Sequence, residues 1–593
     1  MSRIDPHSFV DDTQPRTRHA DLSLDVDFAR RVVTGEIHLR FVAPGSGPLD
    51  LDTKGLTIHA VATPDGKAVP HALGEETPIL GRRLRLDLPP GTPAVSIRFA
   101  TSPDAVALQW LDPAQTAGGS HPFLYSQCQA IHARTVLPLQ DTPAVRISYR
   151  AEVTVPEPLS VVMSAGPAGD RRGPRPGTRT FVFEMPQPIP PYLFALAAGR
   201  LASRDLSPRS RVFAEPEVVE KAAWEFAGVE ETIRTAETLF GPYPWDRYDM
   251  LVLPPSFPYG GMENPRMTFL TPTVLAGDRS LVDVVAHELA HSWTGNLVTN
   301  ATMEHFWLNE GATTWAERRI LEALHGAPAA VLSWAIGEKA LRDSFTRFGS
   351  GSPLTKLKTD LAGTDPDDAF SSIPYEKGAR FFALLERTAG RERFDRFLAA
   401  YLARFRFTSI TSGEFLAFLE AELPGLAAGV RADEWMSGTG LPANAPVFES
   451  EALEKLSDLA ARFPEGARPS TSEVARWTPA EKLVYLQRIP RPAPPAACAA
   501  LDGLLGLSTQ GNWELLAEWL AIAAASDYEP AFPRLREVLG SVGRMKYLRP
   551  LYNALGATLR TRALAREVYA GAKPRMHVLS RRVVESVLAA YPS

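Results

Sequence analysis

The sequence predicts a multi-domain α+β protein: a β-rich N-terminal region, a mixed middle region and an all-α C-terminal region. At 593 residues the chain is too long for one hydrophobic core. Apolar and polar residues alternate over much of its first third, whereas apolar residues recur at helical spacing near its end. A Gly- and Pro-containing stretch at 438–446 is typical of a linker. We therefore expect domains at 1–201, 202–441 and 442–593.

Period-two alternation predicts half-buried strands in the N-terminal domain. The alternating runs lie at 22–28, 37–41, 84–88, 95–99 and 147–155. The turns between them are rich in Pro and Gly, which favours antiparallel sheets.

Two shorter stretches of this domain are also informative. The Gly- and Pro-rich stretch 173–177 predicts an exposed hairpin tip. The stretch 126–132 is predicted to be a strand with a buried cysteine.

Helices are predicted to dominate the middle domain. An amphipathic helix is expected over 217–240, followed by a short apolar strand at 248–254. Ser280, with Asp283 three residues later, predicts the N-cap of the next helix, and Gly295 predicts its end.

Two further helical regions follow. One is expected from about residue 304 to 325, closed by Gly326. After residue 450 the chain predicts a helical domain, with Leu453, Leu456, Ala460 and Phe463 on one face.

Bulk composition restricts the class of protein. The net charge of −5 argues against nucleic acid as the main partner. Only two cysteines occur, which indicates a reducing compartment rather than a disulfide framework. The first residues lack an apolar signal core, and no run is long and apolar enough for a membrane span. We therefore expect a cytoplasmic protein.

One stretch of the middle domain predicts catalytic metal chemistry. His287 and His291 are four residues apart, so a helix presents both imidazoles on one face. Glu288 lies between them, and Glu310 follows nineteen residues after His291. Two His and one Glu form the ligand set of a catalytic zinc, with a fourth position open. Glu288 is then the candidate general base.

A bare HExxH motif also occurs by chance. Here the surrounding helical pattern and the upstream sequence GGMEN at 260–264 strengthen the assignment. Together, these motifs resemble the gluzincin aminopeptidases, in particular the leukotriene A(4) hydrolase and aminopeptidase B group. The resemblance implies a saddle-like β domain, a thermolysin-like catalytic domain, a C-terminal helical-repeat domain and one zinc ion per chain.

The resemblance also implies roles for residues around the metal. Gln129, in the sequence SQCQAIH, and Glu263 would bind the free α-amine of the substrate. Tyr375, in PYEKG, would donate a hydrogen bond to the developing oxyanion. From the residues alone, Gln129 is better explained as an amide bonded within a sheet, and Tyr375 as a core tyrosine.

More positions are implied to contact substrate. Gly260, Gly261 and Met262 belong to the GGMEN turn, whose glycines allow a substrate to approach the backbone closely. We therefore count these three residues among the candidate substrate-binding residues. Asp367 matches an aspartate that, in leukotriene A(4) hydrolase, lines the pocket and serves both basic side chains and the epoxide hydrolase reaction. Phe370 stands where leukotriene A(4) hydrolase has a tyrosine, which argues against the lipid reaction.

The sequence GRMK provides a third group of candidates. Arg544 and Lys546 match a basic pair that grips a substrate carboxylate, although spacing alone makes them surface charges. Glu317 lies two helical turns after Glu310, and it is either a partner of a ligating histidine or a solvated residue.

These features predict a zinc aminopeptidase acting on short peptides with a free N-terminus, as a monomer without nucleic-acid or membrane partners. Three alternatives stay open: a leukotriene A(4) hydrolase-like epoxide hydrolase as a main or second activity, an endopeptidase, and a zinc-binding scaffold without turnover. The intact Glu288, Glu263 and Tyr375 argue against the scaffold.

Overall fold

The computed structural model describes residues 5–591. The N-terminal part is built from strands, as the alternating pattern predicts. These strands are β1 Thr17–Asp27, β2 Val32–Thr53, β3 Thr57–Ala62, β4 His71–Thr77, β5 Gly81–Ala100, β6 Leu108–Leu111, β7 Phe123–Ser126, β8 Ile147–Pro156, β9 Ser160–Met163, β10 Gly166–Arg172, β11 Thr178–Ile189 and β12 Leu196–Gly199.

Two sheets share the core of this part. The larger has the order β10-β11-β8-β1-β2-β5-β3, with β4 paired to β5, and the smaller has the order β6-β7-β12-β9. The runs 84–88 and 95–99 lie in the single long strand β5 rather than in two strands. The stretch 173–177 joins β10 to β11, as expected for a hairpin tip.

The prediction of a strand over 126–132 was wrong. Strand β7 ends at Ser126, and the chain then turns through the buried Cys128 and Gln129. The carbonyl of Cys128 accepts a hydrogen bond from His132 N, which curls this segment. The curl allows the loop to leave the sheet and reach the middle domain.

The middle part combines a small sheet with helices. Its strands are β13 Ala202–Ser207, β14 Ser210–Ala214, β15 Asp249–Val252, β16 Gly261–Met262, β17 Met267–Leu270, β18 Val298–Asn300 and β19 Thr408–Ile410. The five-stranded sheet has the order β13-β14-β15-β17-β16. Strand β16, at its edge, carries two residues of the GGMEN turn and lies beside the HExxH helix, with a backbone edge available for a substrate strand.

The helices of this part surround the metal-site candidates. They are α1 Val219–Glu225, α2 Val229–Phe240, α3 Asp283–Ala290, α4 Trp307–His325, α5 Ala327–Phe348, α6 Pro366–Ala369, α7 Gly378–Ala389, α8 Arg391–Arg404, α9 Ser412–Glu422, α10 Leu426–Gly429 and α11 Ala432–Ser437. The stretch 217–240 therefore forms two helices, not one.

The predicted ends of the HExxH helix were also wrong. Val282 is the N-cap of α3 and makes no side-chain cap, whereas the Ser280 hydroxyl bonds to Asp278. The helix ends at Ala290, before Gly295. Gly295 has φ +113°, and a side chain there would meet His291 Nδ1 at 2.7 Å. The atom nearest to such a side chain is Oδ1 of Asn309, so Gly295 leaves room for both Asn309 and the metal-site histidine.

The C-terminal part is helical, as predicted. Its helices are α12 Glu451–Ala461, α13 Thr471–Val474, α14 Pro479–Arg488, α15 Pro495–Leu505, α16 Trp513–Ala525, α17 Phe532–Ser541, α18 Met545–Leu555, α19 Leu559–Ala572 and α20 Val578–Ala589. The even-numbered helices α12 to α20 pack in succession to form one layer. Helix α14 packs against α5, which joins this region to the middle one.

The predicted α+β fold class is confirmed by this arrangement. Across residues 5–591, none of the helices combines the length and apolarity that crossing a bilayer requires.

Candidate active site

Helices α3 and α4 bring three metal-ligand candidates to one point. The Nε2 atoms of His287 and His291 are 3.2 Å apart, and each lies 3.5 Å from Oε2 of Glu310. Zinc bonds of about 2.0–2.1 Å in a tetrahedron place ligand atoms about 3.3 Å apart. Glu310 Oε2 is buried and has no hydrogen-bond partner among residues 5–591. The three groups therefore fit a zinc ion.

The opposite nitrogens of both imidazoles are held by the surrounding protein. His287 Nδ1 lies 2.9 Å from Glu317 Oε2. His291 Nδ1 lies 3.1 Å from Thr313 Oγ1 and 3.2 Å from the Thr294 carbonyl. These contacts orient the Nε2 atoms toward Glu310, as partners of metal-ligating histidines do. Glu317 is thus a bound partner of His287 rather than a solvated residue.

Glu288 lies under the backbone of strand β16. It is 6 % exposed, and a side chain on Gly261 would collide with its carboxylate. Burial raises the pKa of Glu288 well above its usual value, while the charge of His287 opposes that rise. Gly261 is therefore required for the carboxylate to lie against the substrate-facing edge.

A buried carboxylate stands beside the metal-site candidates. Glu263 is 4 % exposed, and its Oε1 accepts hydrogen bonds from Gln129 Nε2 at 3.3 Å and Asn309 Nδ2 at 3.4 Å. Burial raises the pKa of Glu263 to about 7, although these hydrogen bonds lower it. One oxygen of Glu263 lies within 4.8 Å of both a Glu288 oxygen and a His291 nitrogen.

Sequence reasoning missed two side chains beside Glu263 and the GGMEN turn. Asn309 also donates to the Tyr192 hydroxyl at 3.3 Å, and Gln127 Nε2 lies 3.4 Å from Met262 Sδ. Asn309 immediately precedes Glu310 in the sequence, and this position was the available signal. Gln127 offers a polar contact to the GGMEN turn from the N-terminal domain.

Tyr375 lies in a single π-helical turn, Ile373–Lys377. Its ring stacks on the His287 ring with the centroids 6.1 Å apart. The neighbouring Glu376 is clamped by Arg318 at 2.7 Å and by Arg380 at 3.1 Å. This ion pair fixes the turn against helix α4, which carries Glu310.

The basic pair of the C-terminal region is already paired with an acid. Arg544 Nη1 lies 3.5 Å and Lys546 Nζ lies 2.8 Å from Oε1 of Glu514. Arg544 is 4 % exposed, and its Nε has no partner among residues 5–591. Its guanidinium lies over Gly260, where a Cβ would approach Nη2 to 2.6 Å. The pair keeps one net positive charge beside the GGMEN turn, and Glu514 gave no sequence signal.

An apolar pocket opens beside Gln129 and Tyr375. Its walls include Tyr259, Phe306, Leu361 and Phe370, and Asp367 also lines it. The ring centroids of Phe370 and Tyr375 are 6.1 Å apart. The structure thus places Asp367 at the wall of this pocket.

Three family models match successive parts of the chain. Residues 16–193 match the peptidase M1 N-terminal domain, residues 224–435 the peptidase family M1 domain, and residues 477–588 the leukotriene A4 hydrolase C-terminal domain.

Individual proteins match over nearly the whole chain. A leukotriene A-4 hydrolase homolog from Botryotinia fuckeliana is 39 % identical, covering 98 % of this chain and 93 % of its own length. Leucine aminopeptidase 2 from Ajellomyces capsulatus is 38 % identical, covering 98 % and 97 %.

A solved structure shows the same fold. Yeast LTA4 hydrolase in complex with bestatin superimposes with a TM-score of 0.91 at 32 % identity, covering 99 % of this chain and 97 % of that one. The chain therefore belongs to peptidase family M1, and the prediction of a zinc-dependent aminopeptidase is confirmed.

Proposed function

We propose that the enzyme removes the N-terminal residue from short peptides that carry a free α-amine. The observation that carries this proposal is the position of Glu263. Its carboxylate lies within 4.8 Å of the Glu288 carboxylate and of His291. A peptide whose ammonium group binds Glu263 can bring only its first peptide bond to Glu288. This geometry favours an aminopeptidase over an endopeptidase.

One zinc ion would be held by His287, His291 and Glu310. Their spacing supports this, as does the Glu310 oxygen, which lacks a hydrogen-bond partner in the described part of the chain. Zinc bound there supplies a Lewis acid, which acidifies water, polarises the scissile carbonyl and favours the ionised form of nearby carboxyl groups.

Glu288 is the general base in this proposal. Its buried carboxylate accepts a proton from the attacking water and passes it to the leaving amine. The proton therefore stays on one side chain between bond formation and bond breaking. Gly261 supports this role, because any larger residue there would displace the carboxylate.

The remaining residues bind and orient the peptide. Glu263 and Gln129 hold the α-amine, and Tyr375 donates its hydroxyl proton in a hydrogen bond to the developing oxyanion. The backbone of Gly260, Gly261 and Met262 forms the edge along which the peptide lies.

Two basic residues are candidates for binding the C-terminal end of the peptide. Arg544 and Lys546 attract its carboxylate, with their net positive charge as support. A basic pair at this place limits the length of good substrates, because a longer peptide carries its carboxylate past the pair.

Hydrolysis of matched peptides tests this function. The zinc-loaded enzyme is given a leucine-initiated tripeptide and its N-acetylated form, and products are separated by chromatography. We expect release of free leucine from the first peptide only. Cleavage of both at comparable rates would identify an endopeptidase, and cleavage of neither would overturn the proposal.

Epoxide hydrolysis is the second candidate, because one relative is named a leukotriene A-4 hydrolase homolog. Phe370 has no hydroxyl to direct water or substrate at this pocket, so we expect weak or absent turnover of the lipid epoxide. Incubation with leukotriene A4 and chromatography of the products separates the activities. Rapid formation of a single dihydroxy product would contradict this expectation.

We further propose domain divisions at 1–201, 202–441 and 442–593, a cytoplasmic location and a monomeric state. Both cysteines, Cys128 and Cys498, are buried free thiols, which suits a reducing compartment. Light scattering after size-exclusion chromatography tests the monomer, with a mass near 64.7 kDa expected.

A further inference from the structure

The apolar pocket is placed to receive the side chain of the substrate's N-terminal residue. Gln129 lines the pocket and also touches Glu263, the proposed amine ligand, at 3.3 Å. Phe370, on the pocket wall, packs edge-to-face on both Tyr259 and Tyr375. A residue held by its amine at Glu263 and by its carbonyl near Tyr375 therefore points its side chain between these groups.

The negative charge of the pocket, on Asp367, already has partners within the protein. Among the lining residues that the structure describes, the charged side chains are Asp367 and Lys356. Asp367 Oδ2 accepts a hydrogen bond from His132 Nε2 at 2.9 Å. It also lies 3.7 Å from Nη1 of Arg582. The acid is therefore engaged from outside the pocket on two sides.

Arg582 reaches this acid from the C-terminal helical region. It lies in α20, and its Nη1 is 3.7 Å from both Asp365 and Asp367. Burial raises the pKa of Asp367, but the charges of His132 and Arg582 outweigh burial, so its pKa is lowered overall. Asp367 is thus an ionised carboxylate that His132 and Arg582 already engage.

We propose that Arg582 makes the enzyme discriminate against N-terminal arginine and lysine, so that its substrates begin with an uncharged, apolar residue. A cationic side chain entering the pocket meets the apolar walls, the positive Lys356, and a carboxylate already paired with Arg582. It loses its hydration without gaining a free counter-charge. An apolar side chain has no charged group to dehydrate, and it gains free energy by burying its surface in the pocket. This inference rests on the proposed aminopeptidase function and specifies which N-terminal residues the enzyme accepts.

A matched pair of substrates isolates the charge. Arginine and citrulline have nearly the same size and shape, but only arginine is cationic. We expect the wild-type enzyme to hydrolyse the citrulline aminomethylcoumarin amide with a higher kcat/KM than the arginine amide. Arg582→Gln should raise the ratio of kcat/KM for the arginine amide to kcat/KM for the citrulline amide by about three- to tenfold. The effect is no larger because solvent screens the partly exposed ion pair.

Control variants separate this effect from a general loss of charge or of folding. Arg536→Gln removes an arginine that pairs with Glu567 at 2.7 Å elsewhere in the same helical region, and the ratio should stay at the wild-type value. Arg582→Met removes the same charge with a different side chain, so it should reproduce the rise. Adding Asp367→Asn to Arg582→Gln should abolish the rise, because the uncovered carboxylate is then gone.

Three results would overturn the inference. They are a wild-type preference for arginine over citrulline, an unchanged ratio in both Arg582 variants, or an equal rise in Arg536→Gln. Failure of the proposed function looks different. In that case the wild-type enzyme hydrolyses none of the arginine, citrulline and leucine amides, and the substrate class falls with the function.

Discussion

Gly311 and Gly378 pack backbone against backbone where helices α4 and α7 cross. A Cβ built on Gly311 would lie 2.6 Å from Gly378 Cα, and one on Gly378 would lie 2.7 Å from Gly311 Cα. Gly311 directly follows Glu310, and Gly378 closes the turn that carries Tyr375. This contact therefore sets the distance between the zinc-ligand candidate Glu310 and Tyr375.

We predict that Gly311→Ala damages both stability and catalysis. The added methyl group must push apart two backbones, which costs about 1–3 kcal/mol. Melting temperature and kcat should both fall. Gly571→Ala is a matched control, because Gly571 lies in helix α19 and, apart from its chain neighbours and the backbone of its own helix, no atom of residues 5–591 lies within 4 Å of the added methyl group. Its melting temperature should stay the same or rise, since Ala favours helix by up to about 1 kcal/mol. Equal behaviour of the two variants would contradict the role of the close contact.

Glu288→Gln should retain zinc and lose turnover. The amide keeps the size of the side chain but cannot accept a proton, so kcat should fall by about 10²- to 10⁴-fold. Zinc content measured by atomic absorption should equal that of the wild type, because Glu288 is not among the three proposed ligands. Near-normal turnover would remove Glu288 as the general base, and loss of zinc would make it a ligand.

The Glu263 carboxyl predicts an acidic limb in the pH profile. Its pKa is raised to about 7 by burial, and only its ionised form attracts the substrate ammonium group. Bound zinc opposes that rise, because a nearby cation favours the ionised carboxylate. Protonation of Glu263 on the acidic side therefore lowers kcat/KM. Values measured from pH 5 to 9 with a leucine amide should fall on the acidic side of neutrality. A flat profile over the whole range from pH 5 to 9 would contradict the assignment of Glu263 as the amine ligand.

Arg544→Ala should raise the KM for tripeptides by about 10- to 100-fold, the range for a lost charge-assisted hydrogen bond. The same tripeptides with an amidated C-terminus are the control, because they offer no carboxylate. Their KM should change little. An equal rise for both substrate types would show that Arg544 is structural, held by Glu514, Tyr547 and Thr273.

Local patterns predicted the parts of the site that lie close together in sequence. The four-residue spacing of His287 and His291 fixes their common helix face, and GGMEN marks the turn that crosses Glu288. The pairing of Gln129 with Glu263 was expected from family resemblance rather than from spacing. The two residues are 134 positions apart and belong to different domains.

Contacts that depend on tertiary packing were beyond sequence reasoning. Glu514 pairs with Arg544 and Lys546 only because helices α16 and α18 pack together. Arg582 reaches Asp367 across more than two hundred residues of chain. Ser280 has the pattern of an N-cap, yet its hydroxyl bonds to Asp278 within the preceding turn. In the first two cases the deciding partner is distant in sequence, whereas for Ser280 a nearby side chain competes with the capping role.

The central claim is that one zinc ion, held by His287, His291 and Glu310, is required to release an N-terminal residue. Its most direct test is a zinc titration of the chelator-stripped enzyme, with hydrolysis of a leucine chromogenic amide as the readout. We predict that activity is absent at the start, rises linearly and reaches its maximum at one equivalent of zinc per chain. Full activity in the stripped enzyme, or equal recovery in Glu310→Ala, would contradict the account.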